Sequence, residues 1–290
     1  MSSPPIFDTS TGTRDGDTGA EGGDTSADRP EESRVSTRFR RVDHFENIEN
    51  MDDPQQKVLT DKLLALLAAQ TQSGPTPTDV SSSPLRKRII VAVGGIPGSG
   101  KSTLCAAVAA SINSALQTPT AIVVAMDGFH LTKAQLGLSE QPALYWARRG
   151  AHFTFNGHAL LALVKQLAEP YSPTSPAITA PSFDHALGDP VPHDISVEPC
   201  HQVVLLEGLY VLVETLSPWK DIRALCTVEH WVDVDLDVAR ERVAKRHLQA
   251  GLVKSLEEGR ARWENNDFLN AQFVLKSRKH AAEKKRAGEI

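Results

Sequence analysis

One short string constrains this chain more than any other: Gly95-Ile96-Pro97-Gly98-Ser99-Gly100-Lys101-Ser102. It fits G-x-x-x-x-G-K-[ST], and its setting is the one the pattern needs. A wholly apolar run, residues 89–93, precedes it and a helix-forming stretch, residues 101–115, follows. The glycines permit backbone angles that turn successive N–H groups toward one point, a nest for phosphate oxygens. The helix N-terminus adds its partial positive charge there. Lys101 is expected to reach the β- and γ-phosphates of ATP, and the Ser102 hydroxyl to ligate Mg2+. Gly95, Ile96, Pro97, Gly98, Ser99, Gly100, Lys101, Ser102 and Thr103 together form the expected nucleotide-binding set.

Around this string, short apolar runs alternate with helical stretches, which marks a parallel sheet. Strands are predicted at residues 89–93, 120–125, 203–206 and 228–234, and helices at 101–115, 158–168, 236–249 and 256–270. The proline-punctuated stretch 170–199 reads as a long loop. The expected fold is α/β, a three-layer sandwich with a doubly wound parallel sheet, plus a helical lid. The catalytic domain is expected at 86–275, followed by a basic, frayed tail at 276–290. Upstream, Asp53 reads as an N-cap with Pro54 at the first helical position, and Leu59, Leu63, Leu66 and Leu67 follow at helical spacing. An amphipathic helix is therefore predicted at 53–71, packed on the catalytic domain, with a linker at 72–85. Residues 1–34 hold eight acidic and three basic side chains and few large apolar ones, so segment 1–52 is expected to be a disordered acidic tail.

Residues 1–34 account for the net charge of -5; the remaining 256 residues hold 28 acids and 28 bases. Such balance argues against a dedicated nucleic-acid binder. The longest apolar run, residues 63–69, is far shorter than the roughly 20 residues that span a bilayer. Cys105, Cys200 and Cys226 have no zinc-ligand spacing, and the N-terminus has no apolar leader, so a reducing, cytoplasmic setting is expected.

Several residues beyond the string carry chemistry. Glu207 ends the strand at 203–206, beside Gly208, where open α/β sheets bind ligands, and is read as a magnesium-side carboxylate. Asp127, at the end of the strand after the phosphate-binding helix, is the expected base for an incoming hydroxyl, with a magnesium-ligand role as its alternative. Arg242 and Arg246 are i, i+4 neighbours on one predicted helix with Lys245 and His247. They read either as a lid that stabilises charge during transfer or as a solvated face paired with Glu241. Asp233 and Asp235 also end a strand, and Asp235 reads as a helix cap. His130 and His185 fall in segments assigned to the substrate, while Arg148 and Arg149 suit either an anion anchor or the surface. Function is thus expected to be ATP-dependent phosphoryl transfer to an alcohol on a small molecule. The alternative is an ATP-binding switch, which needs no base at the position of Asp127. A GTPase is disfavoured because Thr132-Lys133-Ala134-Gln135 lacks the acid of a guanine-reading segment, and no L-S-G-G-Q-type signature of a transport ATPase occurs.

The ordered set Gly95 to Ser102, Asp127-Gly128-Phe129, Ala180-Pro181-Ser182-Phe183-Asp184-His185 and Leu206-Glu207-Gly208 resembles the P-loop kinase family of uridine kinase, phosphoribulokinase and type I pantothenate kinase. The likeness covers about residues 86–275 and is strongest to nucleoside-kinase-like members. It implies a P-loop NTPase fold, Asp127 as catalytic base, and Glu207 organising magnesium and substrate. It also implies an acceptor pocket lined by the segment from Pro181 to His185, including Phe183 and Asp184, and a lid built on residues 242–247. Phe183 stands where relatives often have tyrosine, which removes a hydroxyl contact, and Arg148-Arg149-Gly150 has no clear counterpart in the family.

Overall fold

The computed structural model describes residues 53–72 and 85–287, with side chains described through Lys279. The acidic tail 1–52 and linker residues 73–84 lie outside these. Asp53 opens helix α1 (Pro54–Gln72), its carboxylate accepting from Gln55 N at 2.9 Å. Leu59, Leu63 and Leu67, one turn apart, are at most 7% exposed. Full burial of each contributes roughly 1.5–3 kcal/mol.

In chain order there follow β1 (Ile89–Gly94), α2 (Lys101–Leu116), β2 (Ala121–Ala125), a 3-10 turn (Met126–Phe129), α3 (Lys133–Gly137), α4 (Pro142–Ala147) and α5 (Gly157–Ala168). Next come β3 (Ile178–Asp184), β4 (Asp189–Val197), β5 (Val203–Gly208), α6 (Trp219–Ala224), β6 (Val228–Trp231) and α7 (Leu236–Gln249). The chain ends in α8 (Leu256–Arg262), a π-helical turn (Trp263–Asp267) and α9 (Phe268–Ala287).

The main sheet has four strands in the order β2-β5-β1-β6, all parallel. Every residue of β1 and β5 is buried, as expected of parallel strands covered on both faces. Alternate side chains serve different layers. Ile89, Val91, Val93, Val203 and Leu205 pack with α1 and α2. Ile90, Ala92, Val204 and Leu206 pack with α5, α6, α7 and the C-terminal helices. This is the three-layer α/β sandwich, with helices on both faces of a parallel sheet.

Three local expectations are corrected. The stretch 170–199 contains an antiparallel hairpin, β3 with β4, with a register shift between Ala180 and Ser182. Pro181, Pro190 and Pro192 are tolerated because both strands of a two-stranded ribbon are edges, where a missing N–H need cost no ladder bond. The strand expected at 228–234 stops at Trp231, and Asp235 caps α7 by accepting from Asp237 N and Val238 N at 2.8 and 3.2 Å. The helix expected at 256–270 is interrupted by the π-helical turn, and α9 continues through the region expected to fray after Lys276.

Candidate active site

Strand register assembles the site. Glu207 pairs with Val93 on one side, two residues before the phosphate loop begins at Gly95, and with Ala125 on the other, two residues before Asp127. The cradle, Glu207 and Asp127 thus share the carboxyl edge of the sheet, where such sheets bind ligands. Ile96 is 2% exposed and anchors the loop in the core. Gly98 sits at φ +78°, and a Cβ there would lie 2.6 Å from Ala239 O, so only glycine lets the loop press against α7. Ser99 is buried and its hydroxyl has no hydrogen-bond partner among the described residues.

At the start of α2, Ser102 Oγ donates to Glu207 Oε1 at 3.1 Å. Glu207 is 6% exposed. Burial pushes its carboxyl above the usual range; the Lys101 charge opposes this, and the nearby Asp127 charge reinforces it. A buried carboxylate facing a serine hydroxyl and a lysine is poised for a divalent cation, whose charge would hold it ionised.

Asp127 lies in the 3-10 turn and is half-buried, and its carboxylate makes no hydrogen bond or ion pair among the described residues. Its carbonyl is engaged, accepting from His130 N at 3.1 Å and lying 2.8 Å from His130 Nδ1. The turn abuts the hairpin: a Cβ at Gly128 would stand 2.1 Å from Pro181 O. This close approach packs Asp127-Gly128-Phe129 directly against the Pro181 segment. His130 packs on Phe155 and Phe183 at centroid distances of 3.9 and 4.9 Å, and burial lowers its pKa. Arg149 lies over the Phe183 ring at 5.7 Å and pairs with Asp189 at 3.1 Å. His130, Phe183 and Arg149 therefore form one cluster beside Asp127. Asp184 sits at the hairpin turn, accepting from Ala186 N and Leu187 N at 2.8 and 2.9 Å. His185 is exposed and touches the Phe183 ring edge-on.

On α7, Arg242 Nη1 donates to Gly98 O at 3.3 Å, which brings that guanidinium to the phosphate loop. Arg246 is close enough to influence both Glu207 and Asp267. Glu241 pairs with Arg240 and Arg260 rather than with either of them, leaving Arg242 and Arg246 without an ion pair among the described residues. His247 faces inward, with Nε2 at 3.7 Å from Asp267.

Sequence reasoning missed Tyr210, Asn266 and Asn270. Tyr210 is fully buried, and its hydroxyl donates to Gly150 O at 2.8 Å. Asn266 and Asn270 are 9% and 4% exposed and accept from Nε and Nη2 of Arg148 at 3.0 and 2.9 Å. Their signal was two asparagines one turn apart on the face that also carries Trp263, Ala271 and Val274.

A model of the phosphoribulokinase/uridine kinase family matches residues 90–250. A Schizosaccharomyces pombe protein named as a candidate uridine kinase is 39% identical over 192 residues, which is 66% of this chain and 80% of that protein. The ATP-dependent kinase-like protein notR' of Aspergillus versicolor is 43% identical over 153 residues, 53% of this chain and 88% of that protein. The ATP-dependent kinase YFH7 of Saccharomyces cerevisiae is 35% identical over 181 residues, 52% of this chain and only 51% of that protein. Among solved structures, YFH7 superposes with a TM-score of 0.66 at 25% identity, covering 77% of this chain and 95% of that one. A candidate fructose transport system kinase from Silicibacter sp. TM1040 gives a TM-score of 0.58 at 31% identity, covering 74% of this chain and 94% of that one. With its motifs in the family's order on one sheet edge, and with these matches, the chain belongs to the phosphoribulokinase/uridine kinase family of P-loop kinases.

Proposed function

We propose that this chain is an ATP- and magnesium-dependent kinase that transfers the γ-phosphoryl group to a hydroxyl of a small nucleoside, pantothenate-like or sugar-type metabolite. One observation carries the reading: Glu207 stands between the strand that opens the cradle and the strand that delivers Asp127, and it is bonded to Ser102 at 3.1 Å. The Ser102 hydroxyl and Glu207 carboxylate are hard oxygen donors of the kind Mg2+ accepts alongside water and phosphate oxygens. Ser99, with its unpartnered buried hydroxyl, offers the cradle one more polar group. When bound, magnesium would neutralise charge on the β- and γ-phosphates.

The protein's own groups then divide the work. The loop amides from Gly95 to Thr103 grip the phosphates, and Lys101 clamps the β- and γ-oxygens. Asp127, with its carboxylate free of protein partners, takes the proton from the acceptor hydroxyl. As the new bond to γ-phosphorus forms, the bridging bond to the β-phosphate breaks and ADP leaves. Arg242 and Arg246 stabilise charge on the transferring group, and their freedom from ion pairs supports this role. His130, Arg149, Phe183, Asp184 and His185 line the acceptor side, with Asp184 acting through the turn it holds. The same reading makes the chain a cytoplasmic enzyme whose partners are small molecules rather than nucleic acid or membrane; among the described residues no helix is long and apolar enough to cross a bilayer.

The test is a metabolite-library screen for ADP release by the purified protein, with Lys101→Ala as the blank. An acceptor that raises ADP release above the ATP-only rate in the parent but not in the blank supports the reading. ATP binding without stimulation by any hydroxyl compound would instead favour a nucleotide switch.

A further inference from the structure

The edge of the main sheet opposite the phosphate loop holds a second group of unsatisfied polar atoms. Arg88 stands there, immediately before β1, where Ile89 N donates to Gln202 O at 2.8 Å. From this edge β1 runs six residues to Gly94, roughly 20 Å at about 3.3 Å per residue, so Arg88 is remote from the cradle. Although it carries a guanidinium, Arg88 is 4% exposed, and so is Tyr171, over whose ring the guanidinium carbon lies at 4.0 Å. The backbone holds the two segments together, because Arg86 N donates to Tyr171 O and Tyr171 N to Arg86 O at 2.8 and 2.9 Å. Arg88 Nε donates to His201 O at 3.2 Å. Nη1 and Nη2 of Arg88 and the Tyr171 hydroxyl are buried without a hydrogen-bond partner among the described residues.

Each of these groups is destabilising if left unmade, and a buried charge without a counter-charge is more so. Burial lowers the Arg88 pKa, yet a guanidinium stays protonated at neutral pH. The face of the Tyr171 ring attracts it, which offsets part of the charge and none of the missing hydrogen bonds. No carboxylate answers it, since Arg88 forms no ion pair among the described residues. The flanking charges have the same sign: Arg86 and Lys87 precede it, and the Arg86 charge reaches Tyr171. Glu198 acts on His201, but its carboxylate is engaged by the Ser196 hydroxyl at 2.6 Å. His201 adds no second cation, because burial lowers its pKa and its Nδ1 accepts from Glu198 N at 2.8 Å. A water molecule would accept from the idle donors and leave the charge unanswered. An anion does both.

We infer that Arg88 and Tyr171 form a binding site for a small inorganic monoanion such as chloride, separate from the nucleotide cradle. Entry strips the ion of water at a cost that rises with the square of its charge, which favours a monoanion over phosphate or sulfate. Occupancy ties the segment after α5, through Tyr171, to the start of the strand that leads into the phosphate loop. The ion is thus a stabilising ligand of the sheet and takes no part in phosphoryl transfer.

The test is urea unfolding in sodium chloride, sodium isethionate and sodium phosphate at one ionic strength. The unfolding constant of the parent should fall about ten-fold when chloride reaches about ten times its dissociation constant, and the bulky isethionate should have no such effect. Arg88→Met should abolish the chloride response and, because it removes an unanswered charge, should be no less stable than the parent in isethionate. Tyr171→Phe keeps the charge and should weaken the response without removing it, so the test survives if Arg88→Met does not fold. Bromide soaked into crystals should give an anomalous peak beside the Arg88 guanidinium, and ATP affinity should be equal in chloride and isethionate. Identical unfolding of the parent in chloride and isethionate, a chloride response that persists in Arg88→Met, or bromide found only elsewhere would overturn the site. A phosphate response larger than that to chloride, and lost in Arg88→Met, would overturn the choice of a monoanion. Chloride that competes with ATP would place its binding in the cradle and defeat the inference in that way.

Discussion

Replacing Gly128 with alanine tests whether Asp127, the proposed base, is positioned by the hairpin. The added Cβ would lie 2.1 Å from Pro181 O and 2.7 Å from Pro181 C, against a closest real approach near 3.0 Å. The shortfall of about 0.9 Å cannot be relieved by a side-chain rotation, because both atoms are backbone. Pro181 lies at the register shift of the hairpin and Phe129 is 6% exposed in the core, so turn and hairpin must part by nearly 1 Å. Overpacking of this size costs roughly 1–3 kcal/mol. Asp127 is the adjacent residue and moves with the turn, and a misplacement near 1 Å at a reacting group costs about 100-fold in rate. The cradle is held by β1 and β5, so ATP affinity should stay within about two-fold of the parent. The assays are urea unfolding, ATP titration and phosphoryl transfer to whichever acceptor the library screen yields. Gly137→Ala is the control: its added Cβ meets nothing within 4 Å, and a helical glycine replaced by alanine should be neutral or gain up to about 1 kcal/mol. If Gly128→Ala matches this control in both stability and turnover, the hairpin contact does not position the base.

Four further outcomes are expected. Lys101→Ala removes the charge that clamps the β- and γ-phosphates and should abolish measurable ATP binding in calorimetry; near-normal affinity would refute the cradle. Asp127→Asn should retain ATP affinity while losing roughly 100- to 10,000-fold in transfer, and a loss of only a few-fold would remove Asp127 as base. Leu63→Ala, at a fully buried position of α1, should cost about 2–5 kcal/mol in urea unfolding, and a cost below about 1 kcal/mol would show that α1 is not packed on the sheet. Burial, with Arg262 and Arg246 adding to it, holds His247 at about 4, below its ordinary 6.5, so the unfolded chain takes up a proton that the folded one refuses. Stability should therefore fall as pH drops from about 6.5 to about 4, and His247→Gln should lose part of that slope; parallel unfolding curves for parent and variant would sink the assignment.

The phosphate-loop string with its flanking strand and helix could be read in the sequence because local patterns determine them. Residues 95–102 lie in one string, and the continuous apolar runs of β1 and β5 follow from burial on both faces of a parallel sheet. The α7 bounds were legible for a similar reason, since Asp235 caps the helix and Gly251, at φ +67°, follows its end. The hairpin was not legible. Prolines at 181, 190 and 192 signal a loop in any scan by propensity, and only the knowledge that both strands are edges makes them acceptable. Short helices such as α3 and α4 have too few turns to display a period, and the π-helical turn displaces the period of 256–270 partway along.

The residues proposed for the acceptor side were named from their segments and a resemblance, but the contacts that position them were not legible, for a different physical reason. Their polar groups are positioned by partners across the chain: Arg149 by Asp189, and His130 by the rings of Phe155 and Phe183. None of these pairs has a fixed spacing, because each joins a different pair of elements. The phosphate cradle, by contrast, owes its shape to main-chain amides, which tolerate side-chain change provided the glycines remain. A substitution in the acceptor cluster can therefore release one partner and reshape the pocket while the cradle persists. Change at the Gly128–Pro181 contact cannot be confined in that way, since it shifts Asp127 together with the hairpin behind it. The acceptor preference of this fold should accordingly vary with the pairs that hold Arg149 and His130, while the geometry of transfer follows the turn at Gly128.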